Sequence, residues 1–217
     1  MPRLPITIAL LAMLPLITGC AVAAIGAAGT AAVAVGQERT VGEAVDDIAA
    51  SSEIKSRLLA YGGMGEVDVK TTGGLVLLSG RVISPELRVT AESIAWSTKH
   101  TSDVANEIKI ETPGGFFSNA SDELISARVR ARLLGSSSVQ ARNITVETYG
   151  GVVYLMGVTR SAEELEQAAI EASLAGGVNQ VVSYMRLRDD RGDIVPYVPG
   201  QPAPQPDNSG LMGAPDS

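Results

Sequence analysis

Apolar residues recur at helical spacing in two separate stretches of the chain. In each stretch, three apolar residues follow one another at intervals of four, which places them on one face of a helix. These residues are Ile125, Val129 and Leu133 in the later stretch, and Ala50, Ile54 and Leu58 in the earlier one. Each stretch therefore predicts a helix that packs through a single apolar stripe.

A hairpin is predicted after each of these helices. In the first, Val67, Val69 and Thr71 alternate with other residues, as in a strand. The glycine pair 73–74 suits a tight turn, because both residues can adopt a positive φ. Residues 75–82 then form the returning strand.

A second helix and a last strand complete each pattern. The helix is predicted to begin at Ser84, followed by Pro85 and Glu86, and the strand to cover residues 104–110. In the later copy, the sequence Ser-Ala-Glu-Glu at 161–164 is typical of a capping box. The order of elements is therefore helix, strand, strand, helix, strand.

The two patterns are copies of one repeat. Residues 67–80 align with residues 144–157 at an offset of 77. The first helices align at an offset of 75, and two extra residues near 136–138 account for the difference. Gly80 and Gly157 fall at matching sites near the end of the second strand, where glycine often marks a close approach of two backbones.

We predict an α+β fold made of two tandem αββαβ sandwiches, over residues 43–112 and 121–190. Each has a three-stranded sheet with two helices on one face. Residues 113–120 are predicted to be a linker, in which Phe116 and Phe117 pack between the units or, alternatively, face lipid. Residues 191–217 are rich in proline and are predicted to be disordered.

The first 20 residues have the pattern of a secretory signal. Residues 6–17 are uncharged and largely apolar, and small residues lead to Cys20, the single cysteine. The sequence Ile-Thr-Gly-Cys at 17–20 resembles the bacterial lipobox, which implies removal of residues 1–19 and acylation of Cys20. Ala21 follows this cysteine and, by resemblance to lipoprotein sorting, implies the outer membrane. The alternative to the lipobox is that Cys20 is incidental and is not acylated.

Residues 20–42 are predicted to form an Ala- and Gly-rich tether near the membrane surface. A membrane-spanning helix is the alternative, because the uncharged run continues from the signal core to Gly36. Pro5 and Pro15 interrupt that run, and its later part is mostly Ala, Val and Gly, which favours the tether.

Composition narrows the possible functions. The chain has 17 Lys and Arg against 24 Asp and Glu, a net charge of −7, which argues against general nucleic-acid binding. One Cys and one His exclude an intramolecular disulfide and a metal site built from several cysteines or histidines. His100 is interpreted as a solvated side chain. No cofactor, metal or catalytic constellation is predicted, and we expect no enzymatic activity.

The two copies differ in charge. The first has four more acidic than basic side chains, and the second, counted over residues 121–191, only one more. Leu124, Arg128 and Arg132 lie four residues apart on the first helix of the second copy, where the first copy has Ala49, Glu53 and Arg57. Two guanidiniums beside a helix that begins near Leu124 would suit a phospholipid headgroup. The alternative is a solvated helix with Glu–Arg pairs.

The order of elements, their spacing and the glycine hairpin resemble the BON domain, a periplasmic module. A lipobox followed by two such units resembles the dual-BON outer-membrane lipoproteins of the DolP type over residues 36–190. The segments 126–134 and 155–157 carry the most specific part of this resemblance. One departure is His100-Thr101 in the first copy, where the second has Gly177-Val178.

The resemblance also implies a binding site. In this family, anionic phospholipid binding is attributed to the second unit, around the start of its first helix. The implied residues are Asn119, Ser121, Asp122, Leu124, Ile125 and Arg128, to which the charge pattern adds Arg132.

We therefore expect a non-enzymatic lipoprotein on the periplasmic face of the outer membrane, anchored through acylated Cys20. Its second unit is expected to bind anionic phospholipid headgroups and to support envelope integrity. The alternative is a periplasmic adaptor that binds a protein of envelope assembly or of the cell wall. No nucleic-acid partner is expected.

Overall fold

The computed structural model describes residues 40–112, 116–189 and 191–197, with residues 116–119 described by their backbone. All of them belong to one compact unit of the chain, residues 36–217. The elements of the first repeat are α1 (Val41–Tyr61), β1 (Val67–Thr72), β2 (Leu75–Val82), α2 (Pro85–Trp96), β3 (Asp103–Asn106) and β4 (Lys109–Ile110). Those of the second are α3 (Phe116–Gly135), a 3₁₀ turn (Ala141–Asn143), β5 (Ile144–Tyr149), β6 (Val152–Thr159), α4 (Ala162–Ser173), β7 (Gln180–Arg188) and β8 (Ile194–Pro196).

The register of the strands confirms the predicted repeat. In the first unit β1 pairs antiparallel with β2, and Leu75 of β2 lies opposite Asp103 of the parallel strand β3. In the second unit β5 pairs antiparallel with β6, and Val152 lies opposite Gln180 of the parallel strand β7. Both partners are shifted by the same 77 positions, so the two sheets are built alike.

The prediction of three strands per sheet is corrected in both units. In the first, the last strand is interrupted at residues 107–108, and its two parts, β3 and β4, both pair with β2. In the second, β8 is a fourth strand that pairs antiparallel with β7, with Pro196 opposite Arg186. The disorder predicted for 191–217 thus does not hold at Ile194–Pro196, because Val195 and Tyr197 pack against the second core.

Two helices begin earlier than the sequence analysis placed them. Helix α1 begins within the predicted tether 20–42, where the Thr40 hydroxyl accepts from the Glu43 N–H at 3.1 Å and the Glu43 carboxylate accepts from the Thr40 N–H at 2.6 Å. Helix α3 begins at Phe116, within the predicted linker 113–120.

Each pair of helices covers one face of its own sheet. In the first unit Ile54 and Leu58 of α1 are fully buried together with Val76 and Leu78 of β2. The second core contains the corresponding residues of α3 and β6, which are Val129, Leu133, Val153 and Leu155. Alternate residues of a strand point to opposite faces of the sheet. The residues that alternate with these core residues in β2 and β6 therefore point to the face that the helices do not cover.

Those intervening residues pack the two sheets against each other. Leu75, Leu77 and Ala105 of the first sheet form one buried cluster with Tyr154 and Met156 of the second. The layers are therefore helices, sheet, sheet and helices. Strands β2 and β6 are buried on both faces, which explains why their sequences are almost continuously apolar.

Polar contacts between the sheets follow an approximate two-fold symmetry. Lys70 and Glu147 occupy matching positions of the repeat, and they form an ion pair with a nitrogen–oxygen distance of 3.5 Å. Glu107 and Tyr184 also match each other, and the Tyr184 hydroxyl donates to the Glu107 carboxylate. Contacts between equivalent residues are the mark of an isologous interface, here formed within one chain.

The Glu107 carboxylate also accepts a hydrogen bond from a second tyrosine. The Tyr154 hydroxyl donates to Glu107 at 3.4 Å, and burial together with the Glu107 charge raises the pKa of Tyr154 to about 12. Burial also raises the pKa of Tyr184. Both hydroxyls therefore keep their protons, and remain donors, at any pH near neutrality.

An ion pair joins the beginning of the first unit to the end of the second. The Arg188 guanidinium of β7 lies 3.2 Å from the Glu43 carboxylate, the acid of the capping box. Partial burial opposes ionisation of Glu43, but the Thr40 N–H and Arg188 outweigh it and lower its pKa. Ile194 of β8 lies beside Gly73 of the first hairpin and adds an apolar contact at the same place.

Gly80 and Gly157 are expected to be intolerant of a side chain. A Cβ at Gly80 would overlap the Glu66 carbonyl oxygen, and one at Gly157 would overlap that of Asn143. Because these obstacles are backbone atoms of the residue just before the neighbouring strand, replacing either glycine with Ala should lower the free energy of unfolding by about 2 to 4 kcal/mol. Urea denaturation of the full chain measures this loss.

Matched controls come from glycines with open surroundings. A Cβ at Gly65 or Gly176 meets no atom within 4 Å, so Ala there should change stability by about 0.5 kcal/mol or less. Equal effects of Gly157→Ala and Gly176→Ala would contradict the close backbone approach.

Candidate lipid-binding site

Leu124 and Arg128 lie on the outer side of α3, one turn apart. The Leu124 side chain is 52% exposed, although most leucines of the second unit are buried. Arg128 is exposed, and its Nη1 donates to the Gly176 carbonyl at 3.0 Å. Within the described ranges no carboxylate lies within ion-pair distance of Arg128. Its charge is therefore available to an anionic ligand.

The loop after α4 extends this surface. Ile170 and Leu174, one turn apart at the end of α4, are 51% and 62% exposed. The chain continues from Leu174 to Gly176, the residue that accepts the hydrogen bond from Arg128. The first unit has Ser93 and Ser97 at the matching positions. Ile170 and Leu174 were not predicted to belong to the site, although they differ from the first copy at an offset of 77.

Arg132 is engaged differently from Arg128. Its Nη2 lies 2.8 Å from the Glu171 carboxylate, and its Nε donates to the Glu171 carbonyl at 3.1 Å. Arg130 is likewise paired, with Glu123 at 3.1 Å and with the Val146 carbonyl at 3.0 Å. Of the two guanidiniums predicted for the site, Arg132 is therefore paired with a carboxylate. Arg128 has no carboxylate within ion-pair distance in the described part of the chain.

Asp122 holds the hairpin of its own unit. Its two carboxylate oxygens accept from the backbone N–H groups of Gly150 and Gly151, at 2.7 and 3.0 Å, and the side chain is buried. Asp47 does the same for the first hairpin, accepting from Gly73 and Gly74 at 2.9 and 3.1 Å. The structure therefore gives Asp122 a structural contact that both units share, and its carboxylate faces the turn instead of the solvent.

A serine one turn later supports each of these contacts. The Ser126 hydroxyl donates to the Thr148 hydroxyl at 2.7 Å, and Ser51 donates to Thr71 at 2.9 Å. The spacing Asp-x-x-x-Ser in the first helix of each copy thus fixes that helix on its hairpin. The helix start around which the lipid site was predicted is positioned by these bonds.

The remaining predicted residues occupy varied positions. Ile125 is buried in the second core, where it packs near Gly177, and Ser121 is exposed on α3. Asn119 lies in the first turns of α3, and its side chain is outside the description. Cys20 and the side chains of Phe116 and Phe117 also lie outside the described residues.

One predicted feature of the site is wrong. The helix was expected to begin near Leu124, so that its free N–H groups could receive an anion. Because α3 begins at Phe116, the N–H groups of residues 121–124 lie within the helix and are used by its own hydrogen bonds. A headgroup would meet the Leu124 and Arg128 side chains and not a helix terminus.

Residues 46–112 and residues 121–189 each match the model of the BON domain, and the two matches together cover more than half of the chain. The chain belongs to the BON domain family. The matches end before β8, so the strand at Ile194–Pro196 is an addition to the second BON unit.

Several relatives align with this chain over more residues than a single BON unit contains. An uncharacterised protein of the gshII 5′ region of Anaplasma centrale is 35% identical over 148 residues, which are 68% of this chain and 98% of the relative. The outer membrane lipoprotein DolP of Haemophilus influenzae is 27% identical over 175 residues, 79% of this chain and 90% of the relative. The osmotically inducible protein Y of Escherichia coli is 29% identical over 152 residues, 68% and 76% of the two chains.

The departure of the first BON unit at His100 leaves the backbone unchanged. His100 has a φ of 67° and the matching Gly177 a φ of 97°, so both units turn through the left-handed region here. The His100 Nδ1 lies 3.5 Å from the Asp46 carboxylate on α1. In the second unit, the absence of a side chain at Gly177 leaves room for Ile125 and for the Arg128 guanidinium.

Two further classes of site were sought in the described residues. No described helix is long and apolar enough to span a bilayer. No group of three or more His, Cys, Asp or Glu side chains in the same ranges is arranged to hold a metal ion.

Asp122→Ala is expected to destabilise the second BON unit. The substitution leaves the N–H groups of Gly150 and Gly151 without their charged acceptor, at a cost of about 1 to 3 kcal/mol in the free energy of unfolding. Urea denaturation of the full chain measures the loss. Glu123→Ala, the removal of an exposed carboxylate on the same helix, is the control and should change stability by about 0.5 kcal/mol or less. Similar losses for both variants would contradict the structural role of Asp122.

Proposed function

We propose that this protein is a non-enzymatic lipoprotein on the periplasmic face of the outer membrane, anchored through acylated Cys20. Its second BON unit binds anionic phospholipid headgroups at the surface formed by Leu124, Arg128 and the end of α4. This contact supports the integrity of the envelope. The similarity to DolP, whose name describes an outer membrane lipoprotein, supports the anchoring and the compartment.

The observation that carries the lipid proposal is a coordinated difference between the two BON units. Where the second unit has the exposed residues Leu124, Arg128, Ile170 and Leu174, the first has Ala49, Glu53, Ser93 and Ser97. Each difference makes the second unit more apolar or more positive at its outer surface. Apolar side chains beside an unmatched guanidinium fit the boundary between headgroups and acyl chains of an anionic bilayer.

The size of the site implies a weak contact that depends on the anchor. A basic residue near an anionic surface contributes about 1 kcal/mol, and burying a Leu side chain about 1.5 to 3 kcal/mol. These terms alone hold a free protein on a membrane only at high lipid concentration. An acyl anchor at Cys20 keeps the protein at the surface, where a weak site is occupied because its effective concentration is high.

Leu124→Glu combined with Arg128→Glu is expected to abolish binding to anionic liposomes. The change removes an apolar contact and reverses the charge at one position, and the reversal alone costs about 2 kcal/mol, or about 30-fold in affinity. Flotation of the mature chain, residues 20–217 carrying Cys20→Ser, measures binding at high lipid concentration to vesicles of phosphatidylglycerol and phosphatidylcholine or of phosphatidylcholine alone. Binding of the unaltered site should also weaken with salt, over a Debye length of about 8 Å at physiological ionic strength.

Two variants serve as matched controls. Ala49→Glu adds a carboxylate at the position of the first unit that corresponds to Leu124 and should leave flotation unchanged. Arg132→Glu alters a guanidinium that Glu171 already neutralises and should have a smaller effect than Arg128→Glu. If the double variant is folded by circular dichroism and floats as well as the unaltered chain, the lipid proposal fails and the alternative of a protein-binding adaptor is favoured.

Cys20→Ala is expected to release the protein from the outer membrane. Without the thiol no lipid can be attached, so the chain should appear uncleaved or in the soluble fraction. Fractionation of cells, with mass spectrometry of the N-terminus, tests this. A variant that stays in the outer membrane with an unmodified N-terminus would refute lipid anchoring.

A further inference from the structure

The outer face of α1 is apolar and open in the first BON unit. Val45, Ile48 and Leu59 are 58%, 68% and 55% exposed, on the side of the helix opposite the buried residues Ile54 and Leu58. Three of the exposed residues between them are small; they are Ala49, Ser52 and Ser56. We call this set of six exposed residues the α1 face.

The α1 face has no charged side chain. Two charged side chains lie at its margins: Glu53, which pairs with Arg57 at 3.6 Å, and Lys55, which lies 3.6 Å from the Asp68 carboxylate. The matching surface of α3 contains the charged residue Glu123 at the position of Ile48, so the two BON units differ here too. An apolar face without charge is suited to a partner surface that is also apolar and uncharged, because a charged partner would lose hydration without gaining an ion pair.

The order of large and small residues along the α1 face is self-complementary. If two copies of α1 cross antiparallel about a two-fold axis at Ser52, Leu59 of one copy lies opposite Val45 of the other, and Ile48 lies opposite Ser56. Large residues then meet either an apolar residue or a small one, and the small residues at the centre allow the two backbones to approach closely.

We propose that the α1 face binds a second copy of this chain, in an antiparallel helix pair centred on Ser52. A single helix pair buries less than the roughly 1,200 Å² of a standard interface, so the dimer is weak and forms at high local concentration. This inference does not depend on phospholipid binding. In the layer order of the fold, α1 lies on the side of the first sheet that faces away from the second unit, so pairing leaves α3 and α4 free.

A cysteine on the proposed axis gives the sharpest test. In a dimer of Ser52→Cys, the Cα atoms of the two new cysteines would lie about 4.4 to 6.8 Å apart, which is the separation that a disulfide needs. The full chain carrying Cys20→Ser is used, so that this is its single thiol. Under mild oxidation, non-reducing electrophoresis should show most of the chain as a covalent dimer.

The repeat supplies the matched control. Ala127 occupies the position of Ser52 in the second BON unit and is equally exposed, so Ala127→Cys in the same background should form at least fivefold less dimer. Adding Val45→Glu and Ile48→Glu to Ser52→Cys should reduce its crosslinking to the level of Ala127→Cys. Circular dichroism and thermal unfolding verify that this variant is folded.

Three results would overturn the proposal. The first is crosslinking of Ser52→Cys no faster than that of Ala127→Cys. The second is crosslinking that persists after Val45→Glu and Ile48→Glu, since random collision does not need the apolar face. The third is a fall in thermal stability of the monomeric double Glu variant, which would mean that another segment of the same chain covers the α1 face.

Discussion

The packing of one BON sheet against the other is the contact on which the rest of the structure depends. Each unit has about 70 residues, and helices cover only one face of its sheet, so the other face must be buried elsewhere. Leu75, Leu77, Tyr154 and Met156 bury that face in a single cluster between the sheets. Polar groups beside this cluster are paired with each other: Lys70 with Glu147, and the hydroxyls of Tyr154 and Tyr184 with the Glu107 carboxylate. Because the sheets occupy the middle, all four helices present their outer faces for interaction.

The repeat and the order of its elements could be predicted from the sequence, because local chemistry specifies them. A glycine pair dictates each hairpin, a capping serine starts each second helix, and an apolar stripe gives each first helix one buried side. The packing of sheet on sheet was not predicted, although the continuous apolar run at 75–78 signals a strand buried on both faces. Strand β8 was missed because two apolar residues in a proline-rich segment carry almost no periodicity.

The candidate site was predicted only in part, and the repeat explains which part. Arg128 and Leu124 stood out because the first unit has different residues at those positions, and the structure leaves both exposed. Asp122 was predicted to be a lipid-binding residue, yet Asp47 occupies the same position in the first copy. A residue present in both copies of a repeat is expected to serve the fold that the copies share, whereas a residue found in one copy can serve a function of that copy. The pairing of Arg132 with Glu171 depends on how α3 packs against α4, which helical spacing alone does not reveal.

The ion pair between Glu43 and Arg188 holds the two ends of the described fold together. It joins the first turn of the first BON unit to the last strand of the second, so the polypeptide enters and leaves the described fold at neighbouring points. A force that pulls the residues before Thr40 away from those after Tyr197 therefore acts first on the Glu43–Arg188 pair and on the contact of Ile194 with the first hairpin, and reaches the cores of the two units only after these contacts break.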